Sequence, residues 1–551
     1  MEIIFSMLAG ILVLISAAGK LMISLRTDYA DGWDAYFYLV QVKSLAETGT
    51  MHSPDISPVY AFILGFYFTV RDYVLAYKTA SAVIGGLFSL SLYFLAQSLL
   101  KYSFPEKKRI HVLAVSITVL AFSVFSLSLI FVNSQFPKNM LGFMFFNFFL
   151  VFFFKAIPQF KTGKFKSCMA NILLCLLFGC AAFITHRFSA GLSVMVLLYA
   201  AAVYLLKNRT FSRIAGRKII IKIPGTKEFH ASLLFLFFMS LTAGLAGFSI
   251  LSFYSPGVFH ITDLSRFRNV FQPAFQITPL GFMNILGSGK FPFIWKLELT
   301  AVYFLLFVIL AAFITVMIFR TASAFRRNEA ACKNFNPAAL SGLLMFFILF
   351  VFPFFKMDAM GPGYRFYAAF LVFSPLLFVF IPGRILKSRL IFILPVSFTL
   401  LSFFSAAEFD FSSFNPPYEY YEKITLKSEE ILGNRDCELV VAHKALAEIY
   451  TFTSGTDALP WKPEARFDTE KVWRICYGAD DKMISFYTDA HIGGEIMPLD
   501  GKYSIVREDV WRKFLEVLKY DRPDEYLSLQ NWMNPYEVRP DFITKKRKYE
   551  Q

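Results

Sequence analysis

The stretch Asp28-Tyr-Ala-Asp31-Gly-Trp-Asp34-Ala-Tyr-Phe-Tyr38-Leu-Val-Gln41 directly follows the first apolar span of the chain. It is acidic in a region that otherwise avoids acid, because residues 1–405 hold only 13 carboxylate side chains. Five of these lie close together along the chain, at Asp28, Asp31, Asp34, Glu47 and Asp55. Carboxylates beside a bilayer are costly and are usually retained for a function. This loop is therefore the first candidate for a functional site.

The composition around the loop is that of a membrane protein. Soluble domains average about 45–50% apolar residues, whereas this chain reaches 56% and contains 68 Phe among 551 residues. Its mean hydropathy is +0.52. Apolar runs of about 20 residues, enough to cross about 30 Å of hydrocarbon, recur as far as residue 405. They predict an α-helical polytopic membrane protein with eleven transmembrane helices, near residues 3–25, 73–100, 110–132, 139–157, 168–185, 188–206, 230–253, 299–320, 337–355, 364–381 and 390–405.

The short apolar segment 58–70 decides the predicted orientation. As a helix it reaches only about 20 Å, too short to cross a bilayer unaided. If it lies in the interface, all the basic loops fall on one side of the membrane, at residues 101–109, 161–166, 207–227, 320–333 and 384–389. Cytoplasmic loops are enriched in Lys and Arg. The sequence therefore predicts a multi-pass protein of the plasma (inner) membrane with a cytoplasmic N-terminus.

The last part of the chain has a different charge balance. Residues 406–551 carry 27 acidic and 20 basic side chains, although the whole chain has a net charge of +15. The positive excess thus belongs to the membrane part, where it reflects the loop bias and predicts no nucleic-acid partner. We expect two domains: a membrane module, 1–405, with outer loops at 26–72 and 254–298, and a soluble extracytoplasmic α/β domain, 406–551.

Asp31 and Asp34 admit two interpretations. If the stretch is one helix, Asp31, Asp34, Tyr38 and Gln41 share a polar face, and an apolar stripe formed by Trp33, Phe37 and Val40 lies opposite. Such a helix would lie flat on the membrane surface and present its carboxylates to the helical bundle. Alternatively, Asp31 caps the helix and Asp34 follows in the first turn, where acidic residues are favourable.

The order of motifs in the first hundred residues resembles a known superfamily. Asp34-Ala-Tyr-Phe-Tyr is followed by Ala46-Glu-Thr-Gly49, by Ser57-Pro-Val-Tyr60 leading a short helix, and by a long helix that includes Tyr77-Lys-Thr-Ala. This order, after a single transmembrane helix, is similar to that of the GT-C membrane glycosyltransferases. These include protein O-mannosyltransferases, aminoarabinose transferases and oligosaccharyltransferase catalytic subunits. The resemblance is best over residues 1–100, the helix count extends it to 405, and the tail resembles no family.

The resemblance implies inverting transfer of a sugar from a polyprenyl-phosphate carrier to a glycan, lipid or protein acceptor on the outer face. It makes Asp34 the general base, with Asp31 as a second catalytic candidate, because a partly desolvated carboxylate suits that task. The departing lipid phosphate needs cationic partners. Candidates for donor or substrate binding at the outer helix ends are Lys138, His186, Arg187, Arg266, Arg268, Lys356 and Arg365, together with Tyr38. Basic residues at helix ends also reach the interface without any ligand.

The sequence also bears on the class of acceptor and on whether a metal is bound. The second outer loop, Asn133-Ser-Gln-Phe-Pro-Lys138, has no carboxylate, and the tail has no Trp-Trp-Asp sequence, which argues against oligosaccharide transfer to Asn. A divalent metal held by Asp31 and Asp34 alone is possible but has little support, because two carboxylates rarely complete a site.

The alternatives to a transferase are a transporter or lipid flippase and a polysaccharide polymerase or ligase. Against the first, the chain has no internal repeat.

Overall fold

The computed structural model describes residues 2–53, 55–105, 108–207, 210–211, 221–222, 293–324, 343, 347, 362–380, 400–401, 404–406, 408, 415–459, 470–477, 496–500, 503–521 and 523. The chain forms two compact units. The first, here called the membrane unit, comprises residues 1–26, 54–62 and 79–410. The second, here called the loop–tail unit, comprises residues 27–53, 63–78 and 411–551.

The described residues up to Lys207 are almost entirely helical. They form the helices α1 (Glu2–Ser24), α2 (Ala35–Thr48), α3 (Pro58–Val70), α4 (Tyr73–Ser103), α5 (Arg109–Phe125), α6 (Leu127–Gln135), α7 (Pro137–Lys161), α8 (Phe165–Thr185) and α9 (Arg187–Lys207). The two-residue strands β1 (Thr210–Phe211) and β2 (Ile221–Lys222) pair in antiparallel fashion. Then come α10 (Phe293–Ala324), α11 (Pro362–Phe373) and a 3₁₀ helix (Ser374–Phe380).

Several of these helices are long and apolar enough to cross a membrane. Among the described residues there are five, at Ile3–Ser24, Tyr73–Ser103, Pro137–Gln159, Phe165–Thr185 and Phe293–Ala312, and a sixth if the bent pair α5–α6 forms one span. The predicted spans 230–253, 337–355 and 390–405, and the predicted loop 254–298, lie wholly or largely outside the described residues. The polytopic helical fold is thus confirmed, and the count of eleven stays a prediction.

The predicted continuous span 110–132 is broken at Ser126. The two helices α5 and α6 meet there at 58°. The buried Glu298 carboxylate of α10 explains the break, because it accepts hydrogen bonds from Ser126 Oγ (2.5 Å), Leu127 N (2.8 Å) and Ser128 N (3.3 Å). Amides at the start of a helix have no partner within it. A carboxylate from another helix therefore allows α6 to begin anew inside the membrane unit.

The loop–tail unit contains the predicted α/β domain. Its tail helices are α12 (Tyr418–Leu432), α13 (Lys444–Ser454) and α14 (Glu508–Asp521). The strands β3 (Leu439–Val441), β4 (Ala458–Leu459), β5 (Val472–Tyr477), β6 (Ile496–Pro498) and β7 (Tyr503–Arg507) form one sheet in the order β4-β3-β5-β7-β6. Strand β3 is parallel to both neighbours, whereas β7 is antiparallel to β5 and β6.

The loop–tail unit also takes in part of the predicted membrane module. Helix α2 packs on α13, and Tyr36 contacts the rings of Tyr418 and Phe452 at centroid distances of 4.5 and 5.4 Å. Aromatic side chains bury large apolar areas. The first loop is therefore folded together with residues from Phe411 onward and with the adjoining segment 63–78.

Candidate active site

A tight turn places Asp34 directly before α2. Gly32 has φ of 113°, a conformation that glycine adopts far more readily than other residues. Two tail residues fix the turn: Tyr418 donates a hydrogen bond to Gly32 O (2.6 Å), and Gly32 N donates one to Asn415 Oδ1 (2.9 Å). The helix begins at Ala35, and its N-cap residue is Asp34, whose side chain makes no capping hydrogen bond. The carboxylate is thus directed elsewhere.

The Asp34 carboxylate forms an ion pair with Lys444. Lys444 is the first residue of α13, and its ammonium group donates to Asp34 Oδ1. The two side chains are 35% and 40% exposed, respectively, so the pair sits at a partly solvated surface. The same ammonium lies 3.7 Å from Glu448 Oε1 and 5.8 Å from the centre of the Phe37 ring. One lysine of the tail therefore connects two carboxyl groups.

Glu448 differs from Asp34 in its surroundings. Its side chain is buried, 9% exposed, one helical turn after Lys444. Burial raises the pKa of Glu448 to about 8, and the nearby Asp34 charge acts in the same direction, whereas Lys444 opposes it. Burial penalises the charged form of a carboxyl group. At neutral pH this glutamate is therefore mainly protonated.

Asp31 is built into the same turn as a buried group. It is 6% exposed and accepts a hydrogen bond at Oδ1 from Asn415 Nδ2 (3.1 Å). Its backbone oxygen accepts a second from Tyr77 OH (2.7 Å). Because α2 begins only at Ala35, the helical face expected to join Asp31 to Asp34 is not formed, and Asp31 is not the helix cap.

The remaining residues of that expected face are packed inside the loop–tail unit. Tyr38 is buried, and its ring lies 6.3 Å from the Tyr77 ring in a stacked arrangement. Gln41 is also buried and hydrogen-bonds to Ser53 through its amide group. Because α13 covers α2, the expectation of an amphipathic helix lying on the membrane surface gives way to a helix buried in a protein core.

Lys138, a candidate phosphate ligand, has an acidic partner within the membrane unit. Its ammonium lies 2.6 Å from Asp55 Oδ2, and both side chains are mostly buried, 18% and 17% exposed. The same carboxylate accepts a hydrogen bond from Tyr60 OH, and Lys138 lies 5.9 Å from the Tyr60 ring centre. A phosphate at this position would have to share Lys138 with Asp55.

His186 and Arg187 occupy the junction that the sequence predicted between two helices. His186 alone separates α8 from α9, and Arg187 is the first residue of α9. A Cβ on Gly142 would lie 2.9 Å from His186 Cβ and 2.7 Å from Ser189 Oγ, so the junction packs directly on α7. Both His186 and Arg187 are half-buried.

The structure does not describe the side chains of the other predicted phosphate-binding residues. Arg266, Arg268 and Lys356 lie outside the described residues, and Arg365 lies in the first half of α11, where the side chains are not described. Within the described part of the chain, no three His, Cys, Asp or Glu side chains come together as a metal-binding group.

Lys444 and Glu448 are the site residues that the sequence did not single out. Their spacing of four residues on a helix is a common surface pattern, and nothing local connects them to Asp34. Only the packing of α13 on α2 brings the lysine to the carboxylate.

Comparison with known proteins places this arrangement in a fold class. No protein-family model matches the chain, and no curated protein matches its sequence. The fold of the chain is nevertheless similar to that of solved structures. A similar solved structure is the crystal structure of ArnT from Cupriavidus metallidurans in the apo state, with a TM-score of 0.53. The two chains share 10% sequence identity over 91% of this chain and 98% of ArnT, so the likeness establishes the fold alone.

Proposed function

We propose that this protein is an inverting glycosyltransferase that moves a sugar from a polyprenyl-phosphate carrier to an acceptor on the outer face of the membrane. The observation that carries the proposal is the partly exposed Asp34 carboxylate, held by Lys444 in the first loop of a chain whose fold is similar to that of ArnT. The acceptor is a glycan, a lipid or a protein. Asp34 is the general base, and the lipid phosphate is the leaving group.

The reaction follows from the roles of these groups. The acceptor hydroxyl attacks the anomeric carbon of the sugar from the face opposite the phosphate, and the bond from that carbon to the phosphate oxygen breaks. The bonding electrons leave with the polyprenyl phosphate, and the hydroxyl proton passes to the Asp34 carboxylate. A positioned base typically contributes about 10²- to 10⁴-fold to such a step.

Lys444 acts through Asp34. An ionised carboxylate offers about four lone-pair sites, and the Lys444 ammonium engages Oδ1 of Asp34. The ammonium also balances the negative charge of Asp34 beside a neutral Glu448. We assign Lys444 a positioning role, which makes the C-terminal tail part of the catalytic apparatus.

The leaving phosphate requires cations in the membrane unit. Lys138, His186, Arg187, Arg266, Arg268, Lys356 and Arg365 remain the proposed donor-binding residues, with Tyr38 as a substrate-binding candidate. Of these, Lys138 already pairs with Asp55, and Tyr38 is buried. Both features count against these two residues as ligands of the phosphate, whereas Arg187 stands at the start of α9.

The proposed orientation has the N-terminus in the cytoplasm and the loop–tail unit outside. The basic loops between the apolar spans support it. A reporter that matures only in the cytoplasm should be inactive at the C-terminus and active at the N-terminus. The opposite result would place Asp34 on the cytoplasmic side and would exclude transfer on the outer face.

The test of function is transfer of radiolabelled sugar in native membranes, with a panel of polyprenyl-phosphate sugars as donors. The wild type should transfer from at least one donor, and Asp34→Asn should lose transfer while it folds and inserts normally. Glu419→Gln serves as the control, because Glu419 also pairs with a lysine at the surface of the loop–tail unit, and sugar transfer by this variant should stay unchanged. Equal transfer by wild type and Asp34→Asn would remove Asp34 from the mechanism, and no transfer from any donor would argue against the enzyme class.

A further inference from the structure

Lys20 is a buried cation in the membrane unit. It lies in α1, four residues before the helix ends at Ser24, and is 5% exposed. Within the described part of the chain its ammonium group has no hydrogen-bond partner. A charged side chain within a membrane helix is costly and normally serves a function.

The ammonium group sits against the backbone of α4. A Cβ on Gly85 would lie 2.8 Å from Lys20 Nζ and 2.8 Å from Asn133 Oδ1. The absence of a side chain at Gly85 is thus what admits both polar atoms. Asn133 is held in place by the hydrogen bond from its Nδ2 to Ser81 O (3.0 Å).

Two further buried polar atoms lie on α6 and α1, without partners in the described part of the chain. Asn133 Oδ1 has no hydrogen-bond partner among the described residues, and neither has Ser16 Oγ, one turn before Lys20 on α1. Buried polar atoms are nearly always hydrogen-bonded in folded proteins. Three such atoms on two helices indicate a site that is completed by something other than the described side chains.

Two other charges that are mostly buried in the membrane unit have partners. Glu298 accepts hydrogen bonds from the start of α6, and Lys138 is paired with Asp55. Lys20 has no such partner among the described residues, and a buried cation without a counter-charge costs several kcal/mol in real proteins. An anionic ligand would remove that cost.

We propose that Lys20, oriented by Asn133, binds the phosphate group of a membrane-borne lipid. This inference rests on the proposed function, because the lipid it names is the polyprenyl-phosphate donor or product. An ammonium group has three donors, so Asn133 Oδ1 can accept one while the phosphate oxygens accept the others. The long flexible stem of lysine lets the charge move the one helical turn, about 6 Å, towards the end of α1.

The surroundings of α1 favour a lipid over a free anion. Most of this helix is open to the hydrocarbon, and Ile11, Leu14 and Met22 are 50%, 70% and 68% exposed. A ligand that diffuses within the bilayer therefore reaches α1 from the side. Because these residues lie on the face opposite Lys20, the ammonium must move on its flexible stem to meet the phosphate. A soluble anion would have to leave water to enter the same apolar surroundings.

The test measures thermal unfolding of the purified full-length protein in detergent, with undecaprenyl phosphate, undecaprenol or inorganic phosphate added. For the wild type we expect stabilisation by undecaprenyl phosphate alone. Lys20→Met should unfold at a higher temperature than the wild type without ligand, because it removes an unpaired buried charge. Its affinity for undecaprenyl phosphate should fall by roughly tenfold to a hundredfold, the range of a lost charged hydrogen bond.

Asn133→Asp provides a second, independent variant. Its new carboxylate should pair with Lys20, which raises the stability of the free protein and weakens lipid-phosphate binding. Lys155→Met is the control, because Lys155 is a lysine of helix α7 whose exposed side chain contacts the Phe152 ring instead. It should bind the lipid phosphate as the wild type does.

Three results would overturn the proposal: an unchanged lipid-phosphate response in Lys20→Met, a lower unfolding temperature of ligand-free Lys20→Met, or equal stabilisation by inorganic phosphate. The second would mean that Lys20 has a counter-ion within the protein. If Lys20→Met binds and transfers normally while Asp34→Asn does not transfer, the Lys20 site fails and the enzyme class stands. If the wild type neither binds the lipid nor transfers sugar, both fail.

Discussion

Replacement of Lys444 by Met should lower sugar transfer without unfolding the protein. The pair with Asp34 is 35–40% exposed, which screens the interaction. A hydrogen bond to a charged group is worth about 1.5–3 kcal/mol when protected, and exposed ion pairs are worth about 0–1 kcal/mol. We take about 1–2 kcal/mol for this intermediate case, which corresponds to a roughly 5- to 30-fold loss in rate.

The assay is initial-rate transfer of radiolabelled sugar at subsaturating donor, for the wild type, Lys444→Met, Asp34→Asn and the double variant. If Lys444 acts only through Asp34, its removal should have little further effect once Asp34 is Asn, because the two residues form one functional unit. Lys444→Arg keeps the charge and should recover part of the lost rate.

Lys423→Met is the matched control. Lys423 pairs with Glu419 on α12 at 2.8 Å, but both side chains are more than 60% exposed. Its loss should leave transfer unchanged. The reasoning is refuted if Lys444→Met transfers at the wild-type rate, or if its effect multiplies with that of Asp34→Asn.

Three further predictions concern stability, each measured by thermal unfolding of the purified protein. Burial raises the pKa of Glu448 from 4.5 to about 8, so its contribution to stability is complete below about pH 4.5 and is lost as the pH rises towards 8. Glu448→Gln should remove a slope of about 1.4 kcal/mol per pH unit in that window, and an unchanged slope would contradict the burial argument. Glu298→Ala should lower the free energy of unfolding of the membrane unit by about 3 kcal/mol or more, because it leaves the Ser126 hydroxyl and two helix amides without their hydrogen-bond acceptor. Glu298→Gln should lower it by less, and equal losses for the two variants would disprove the capping role. Tyr418→Phe should lower the free energy of unfolding by about 1 kcal/mol, because the hydrogen bond from Tyr418 to Gly32 O is lost. An unchanged unfolding temperature would show that this hydrogen bond is absent in solution.

The membrane helices were predictable because hydropathy is a local property. Helices α4, α7 and α8 lie where apolar runs of sufficient length predicted them. The break at Ser126 was not predictable, since the same apolar run continues through it. Its cause is Glu298, which is more than 170 residues away in sequence and reaches the helix only through tertiary packing.

The acidic first loop was also predictable as a candidate site, but its geometry was not. Spacing alone put Asp31 and Asp34 on one helical face, whereas the turn at Gly32 separates a buried Asp31 from a partly exposed Asp34. The turn depends on hydrogen bonds from Tyr418 and to Asn415, which no local pattern connects to the loop.

The sequence by itself determined that this is a helical membrane protein with a polar α/β tail and an acidic loop after its first span. Composition, hydropathy and charge are properties of local stretches of residues, so they can be read directly from the sequence. The tertiary structure alone decided that Lys444, 410 residues from Asp34, is its partner. It alone placed Lys20 and Asn133 against Gly85. Such contacts depend on how separate helices pack, and the free energy of that packing leaves no periodic signal in the chain.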